Sequence, residues 1–180
     1  MEGVVIRAAR RDDAAAIAGV HVRAWLSAYR GMLDDEILDA QSVAERERLW
    51  VDVLGRPTVR GLPLTRVAVR GQRLLGFCSA LALDDDADAT IGGLYLEPGH
   101  LRGGIGSALL AAVLGELARA DLTDVALWVL ADNRGAIAFY ERLGFVDDGS
   151  RNLYRGAPEL RMRASLASSV SISPNPTQEL

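Results

Sequence analysis

The sequence predicts a single-domain mixed α/β fold, a central sheet with helices packed on it. Three observations lead there. Hydrophobic periodicity switches between helical and strand spacing along the chain, in the order β-α-α-β-β-β-α-β-α-β-β. The 180 residues suit one domain with a substantial core and leave no room for a second of useful size. A strand also runs into a glycine-rich turn, Gly103-Gly104-Ile105-Gly106, that opens a helix.

Val4-Val5-Ile6 is a short β-prone run. Asp12 and Asp13 open a helix whose positions Ile17, Val20, His21, Ala24, Trp25 and Ala28 recur at helical spacing, with Gly31 as its stop. Asp34 to Asp39 adds a further turn or two. Ser42-Val43-Ala44-Glu45 has capping-box spacing, and the helix it starts carries Leu49, Trp50 and Val53 and ends near Gly55. Leu64 to Val69 alternates as a strand, Gly71-Gln72 is turn chemistry, and Leu74 to Leu83 is a second strand. Asp84 to Asp88 reads as a solvated acidic loop. Ile91 to Leu96 is a third strand, ended by Pro98. The helix after Gly106 puts Leu110, Val113, Leu114 and Leu117 on one face. Val125 to Leu130 is the most apolar strand. Asp132 or Asn133 caps a helix from Ala136 to Leu143, stopped by Gly144. Phe145-Val146 and Leu153 to Met162 close the sheet as a pair of strands. From Ala164 the chain is Ser- and Pro-rich, so the domain is assigned to residues 1–163 and residues 164–180 are predicted to be a disordered tail.

Composition narrows the function. The formal net charge is −4, and all 20 basic side chains are Arg. Mild acidity argues against a nucleic-acid partner. No apolar run is long enough for a membrane span, and the N-terminus lacks the basic and apolar regions of a signal peptide. A soluble cytoplasmic protein is expected. One cysteine, Cys78, rules out an internal disulfide, and two histidines, His21 and His100, make no metal cluster.

The segment Pro98 to Leu110 carries the first chemical signal. The leading N–H groups of a helix lack intrahelical partners and sit at the positive end of its dipole. Glycine lets phosphate oxygens approach them. A Walker P-loop is excluded because it needs a Lys. A dinucleotide fingerprint needs Gly or Ala where Leu109 stands and a tighter turn than Glu97 to Gly103, although Asp132 could imitate its ribose-binding acid. A pyrophosphate loop for coenzyme A is the third reading, and a glycine turn serving only packing is the fourth.

A second motif decides among them. Asn133-Arg134-Gly135-Ala136-Ile137-Ala138-Phe139-Tyr140-Glu141-Arg142-Leu143-Gly144-Phe145 sets Asn133 and Tyr140 two helical turns apart, on one face. With the glycine loop upstream, the chain resembles the GNAT superfamily of acyl-CoA N-acetyltransferases, over about Val4 to Arg163 and most strongly from Ile91 to Phe145. Ala24-Trp25 and Ala28-Tyr29-Arg30-Gly31 are similar to a bacterial subgroup of unassigned substrate. The resemblance implies a mostly antiparallel sheet with strands splayed at the coenzyme site, acetyl-CoA as co-substrate, no metal, and an amine acceptor; homodimers are common in the family. It implies that Leu94, Tyr95 and Leu96 offer backbone groups to the pantetheine arm and acetyl carbonyl. Leu101, Arg102, Gly103, Gly104, Ile105, Gly106 and Ser107 would hold the pyrophosphate. Asn133 would bond to the coenzyme, and Tyr140 would face its sulfur as proton donor. Two departures stand out. Leu101 occupies a place usually Gln or Arg, which shifts binding onto backbone N–H groups. Thr90 occupies a place where several members carry a Glu that serves as general base.

Glu97, next to the acceptor end of that strand, is therefore the candidate base by position, against the plainer reading of a solvated residue before a proline. Trp25 and Tyr29 are candidates to line the acceptor site, against a packing role. His21 reads as a core or cleft-lining residue and Cys78 as a small buried apolar group. The expected activity is acetyl transfer from acetyl-CoA to a primary amine by direct attack in a ternary complex. A non-catalytic acyl-CoA-binding regulatory module and an NAD-binding protein are the alternatives.

Overall fold

Seven strands form one sheet in the order β1-β2-β3-β4-β5-β7-β6. The computed structural model describes residues 1–58, 60–82 and 87–166. The strands are β1 (Val4–Ala8), β2 (Leu64–Arg70), β3 (Arg73–Leu81), β4 (Ala89–Leu96), β5 (Asp124–Leu130), β6 (Val146–Tyr154) and β7 (Ala157–Ser165). The helices are α1 (Ala14–Tyr29), α2 (Asp35–Asp39), α3 (Val43–Gly55), α4 (Ile105–Arg119) and α5 (Arg134–Arg142). Every neighbouring pair is antiparallel except β4 and β5, which run parallel.

Apolar periodicity explains the layers. Leu109, Leu110, Val113, Leu114 and Leu117 of α4 pack with Leu75, Cys78, Val125, Leu127 and Met162 on one face of the sheet, joined by Ile137, Phe139 and Tyr140 of α5. Ile17, Ala18 and Val20 of α1 and Trp50 of α3 pack with Val67, Leu74 and Phe77 on the other. Trp50 is buried but Leu49 is 46% exposed, so only one of those two apolar neighbours faces the core. The Ser42 hydroxyl caps α3 by accepting from the Glu45 N–H at 3.4 Å; no reciprocal bond from the Glu45 side chain completes the box.

The predicted closing strand needs correction. Leu153 to Met162 is not one strand, because the chain reverses at Arg155 and Gly156 (φ 51° and 86°), the two left-handed residues of a tight hairpin. The folded region also runs past residue 163. Ala164 lies in β7, and Leu166 is 1% exposed and donates its N–H to Thr123 O. Two apolar residues in strand phase outweigh the Ser-rich composition there. The remainder of the expected tail, 167–180, lies outside the described residues, as do Asp84, Asp85 and Asp86 of the acidic loop. Asp88 is an anchor: it accepts from the Thr123 N–H (2.7 Å) and hydroxyl (2.9 Å), and these bonds lower its pKa.

Candidate active site

The site begins with a parting of strands. β4 and β5 are paired at only three positions, Ala89↔Val125, Thr90↔Ala126 and Ile91↔Leu127, although both strands run further. The register of β4 against β3 slips beside Gly92, with Ser79 opposite Gly93 and Ala80 opposite Ile91. Such a bulge bends a strand and re-aims it. Beyond it β4 stays with β3, and a gap opens towards β5. The Glu97 N–H donates to Leu75 O at 2.8 Å, so position 97 faces β3. Strand groups alternate sides, so Leu94 and Leu96 turn their N–H and C=O towards the gap. Tyr95 does not: its carbonyl lies against Gly76 of β3, where an added Cβ would stand 2.7 Å from it. Leu94 and Leu96 therefore hold their backbone groups towards the gap, whereas Tyr95 turns its backbone to β3.

An anion cradle lies at the far end of β4. A 3-10 turn, Pro98–His100, leads to Gly104, which caps α4 with φ 79°, a left-handed conformation that glycine adopts without strain. No side chain caps this helix, and its first backbone bond runs from the Ala108 N–H to Gly104 O. The N–H groups of Ile105, Gly106 and Ser107 are thus without helical partners. Gly103, Gly104, Leu101 and Arg102 are exposed around them. His100 Nδ1, in the preceding turn, is buried without a hydrogen-bond partner. Uncapped donors on a positive helix end, an open glycine turn and an orphaned polar atom fit a pyrophosphate group.

On the same face as α4, α5 positions the other two motif residues. Asn133 Oδ1 accepts the Ala136 N–H at 3.1 Å, making Asn133 the cap of α5. Its acceptor is therefore committed to the helix, and its amide N–H groups are what it can offer a coenzyme. The Tyr140 ring packs edge-on to Phe139 (5.2 Å) and Phe145 (5.6 Å). Burial raises its pKa, so the hydroxyl remains protonated at neutral pH, and no side chain among the described residues hydrogen-bonds to it. Cys78 is fully buried near it, and burial pushes the thiol pKa far up, which makes it an inert core group.

The opposite face meets the same gap with aromatic residues. Tyr29 and Tyr95 share a hydroxyl–hydroxyl hydrogen bond of 3.2 Å. Tyr95 stacks on His21 at 4.7 Å, and His21 Nδ1 accepts the Trp50 indole N–H at 3.1 Å. Burial and the nearby Arg46 charge lower the His21 pKa to about 3, so it is a neutral prop for Tyr95. Trp25, expected to line the acceptor site, is 2% exposed and packs among Leu33, Leu38 and Leu130. It backs Tyr29, 5.1 Å away edge-on, and presents no open face itself. Tyr154 of β6 joins this cluster. Tyr140 is close enough to act electrostatically on Tyr95, and Tyr29 on Tyr140, so these hydroxyls lie near one another.

Two carboxylates are buried among the described residues, and they differ in kind. Glu97, the expected base, is gripped by Arg23 through two bonds of 2.5 and 3.2 Å. Those bonds hold its pKa below the usual range. It lines a hollow with Ala16, Val20, Arg23, Arg73 and Leu74, at the end of β4 next to Pro98. This Arg23 pairing and lowered pKa make Glu97 a weaker proton acceptor than an unpaired carboxylate. Glu159 of β7 is 8% exposed, accepts one bond from Asn152 Nδ2 at 3.0 Å, and has no ion-pair partner among the described residues. Burial raises its pKa. Glu159 is absent from the sequence-based candidates; only the hairpin turn at Arg155-Gly156 puts it on the same face as Tyr154.

The whole arrangement is that of an acyltransferase-type α/β fold. A solved N-acetyltransferase of Thermoplasma acidophilum, PaiA, in complex with coenzyme A, superposes with a TM-score of 0.75 at 20% identity, over 90% of this chain and 98% of that one. The chain belongs to the acetyltransferase (GNAT) family, whose model matches residues 21–145. Among curated relatives, the mycothiol acetyltransferase of a Nocardioides species is 32% identical over 166 residues, 86% of this chain and 54% of that protein. The mycothiol acetyltransferase of Streptomyces scabiei is 33% identical over 159 residues, 86% of this chain and 46% of that protein. The chain thus spans about half the length of these relatives. No helix among the described residues is long and apolar enough to cross a membrane.

Proposed function

We propose that the protein transfers an acetyl group from acetyl-CoA to a primary amine by direct attack in a ternary complex. The observation that carries this reading is the gap between β4 and β5, with the uncapped start of α4 following β4. In this reading the backbone N–H groups of Gly104 to Ser107 bind the pyrophosphate, with Leu101, Arg102 and Gly103 forming the rim. The open edge of β4, at Leu94 and Leu96, takes the pantetheine arm as a further strand would be taken. A backbone N–H on that edge is pre-oriented towards the oxygen that becomes negative as the carbonyl is attacked. The Asn133 amide donates to the arm. The Tyr140 hydroxyl, still protonated at neutral pH, donates to the sulfur as charge develops there.

Calorimetry with acetyl-CoA and a thiol-release assay over amine classes test this. Tyr140→Phe keeps coenzyme affinity and loses about 10²-fold or more in kcat. Absence of acetyl-CoA binding by the wild-type protein would overturn the reading. Binding without turnover across the amine panel would instead favour a non-catalytic acyl-CoA-binding module.

A further inference from the structure

Glu159 is costly where it stands. A carboxylate taken out of water is normally paired with a guanidinium, as Glu97 is with Arg23. Glu159 has a single amide bond from Asn152. The register fixes where its side chain lies: it is opposite Leu130 on β5 and opposite Asn152 on β6, on the face that carries Tyr154 and Ala157. That face meets Trp25 and Tyr29 of α1 and the ring of Tyr95. The Glu159 charge bears directly on the Tyr29 hydroxyl. The groups facing it from each packed element are Asn152 and Tyr154 from β6, Tyr29 from α1 and Tyr95 from β4. Arg161, the next residue on its own strand face, is engaged by Asp148 at 2.5 Å, and Arg155 lies over the Tyr154 ring at 5.6 Å. A buried carboxylate beside partly exposed aromatic rings is what a compact cation needs.

We propose that Glu159 receives the acceptor's ammonium group and takes its proton, so that the acceptor is an amine entering as a cation between Tyr29, Tyr95 and Tyr154. This rests on the acetyl-transfer reading above and names its missing base. The ammonium gives one proton to the Glu159 carboxylate, which later releases it to solvent. The freed nitrogen lone pair attacks the acetyl carbonyl carbon; the C–N bond forms, the C–S bond breaks, and its electron pair leaves on sulfur. The second nitrogen proton reaches that sulfur through the Tyr140 hydroxyl, which gives one proton and takes one. A base with a raised pKa suits this task near neutrality.

The test uses the full chain, with 1,4-diaminobutane, glucosamine and an alanine-initiated tripeptide amide as probes, read by thiol release. For the probe that the wild type turns over best, Glu159→Gln lowers kcat/KM by about 10²-fold or more at pH 7 and leaves the acetyl-CoA Kd within about twofold. Its rate then climbs with pH towards the amine's own pKa, because solution supplies the neutral amine. The N-trimethyl analogue of that probe competes with the amine on the wild type and loses about tenfold or more in affinity on Glu159→Gln. Thermal melts add a readout of folding. The Glu159 pKa is raised in the folded state, so its cost is absent below the ordinary carboxylate pKa and grows as pH rises through the raised one. Glu159→Gln therefore melts higher than the wild type at pH 7 and the difference closes near pH 4. A variant with turnover within about threefold of the wild type and a parallel pH profile overturns the proposal and spares the acetyl-transfer reading. A variant that loses acetyl-CoA affinity as much as turnover also overturns it, since Glu159 is then structural. A wild type that binds acetyl-CoA but acetylates no probe overturns the reading and the proposal with it.

Discussion

At the residue scale, the contrast between Glu97 and Glu159 shows what a sequence does and does not reveal. Asn133, Tyr140 and the glycine loop are legible because their roles depend on neighbours within two helical turns. A carboxylate's role depends on what surrounds it, and that is set by residues far along the chain. Arg23 reaches Glu97 from 74 positions away, and nothing in Leu96-Glu97-Pro98 announces it. His21 is a similar case: helical spacing placed it inwards, but its partners Trp50 and Tyr95 come from other elements. Its environment carries a pH signature. The folded His21 pKa is lowered to about 3, while the unfolded imidazole titrates near 6.5. Between those values the unfolded chain binds the extra proton, so stability is intact above about pH 6.5 and falls as pH drops. The slope from this one group approaches about 1.4 kcal/mol per pH unit at most. Chemical denaturation from pH 7.5 to 4.5 should show this loss, and Trp50→Phe, which removes the donor to Nδ1 and so raises the folded pKa, should make it smaller without moving its onset. A stability profile unaffected by that substitution would leave His21 without the assigned role.

At the element scale, β4 is the unit on which the site depends. Its helix-bound end was readable from Pro98 and the glycines. Its bulge was not, since Ile91-Gly92-Gly93-Leu94 is compatible with a regular strand until β3 is set beside it. Likewise the β6–β7 turn at Arg155-Gly156 reads as strand interior because Tyr154, Leu160 and Met162 fall at even spacing across it. The close approach of β3 to β4 has one strict requirement. A Cβ at Gly76 would stand 2.2 Å from Leu96 Cδ2 and 2.7 Å from the Tyr95 carbonyl. The leucine methyl can rotate away but the carbonyl cannot without moving β4. Gly76→Ala is therefore expected to lose about 1–3 kcal/mol of stability. Because Leu96 belongs to the open edge, it should also weaken acetyl-CoA binding, as read by calorimetry. Loss of stability with unchanged coenzyme affinity would separate the β3 contact from the site.

At the scale of the whole molecule, the three ladder pairs from Ala89 to Ile91 are, among the described residues, the only strand pairing that joins β1-β2-β3-β4 to β5-β7-β6. Mechanically these are two half-sheets on a short hinge, with α1 and α4 spanning beside it and the tyrosines gathered at its mouth. An open edge in the middle of a sheet should behave like an outer edge. The amide hydrogens of Leu94 and Leu96 should exchange with deuterium faster than those of Phe77 and Cys78 one strand away. Added coenzyme A should slow them selectively, which exchange measured residue by residue would reveal; equal exchange in the free and bound protein would count against the gap as the binding seam. A ligand lying in this gap does more than occupy a site. Paired along Leu94 and Leu96, it would supply hydrogen bonds that the sheet lacks at its centre and so brace the two halves beyond the three pairs that already join them.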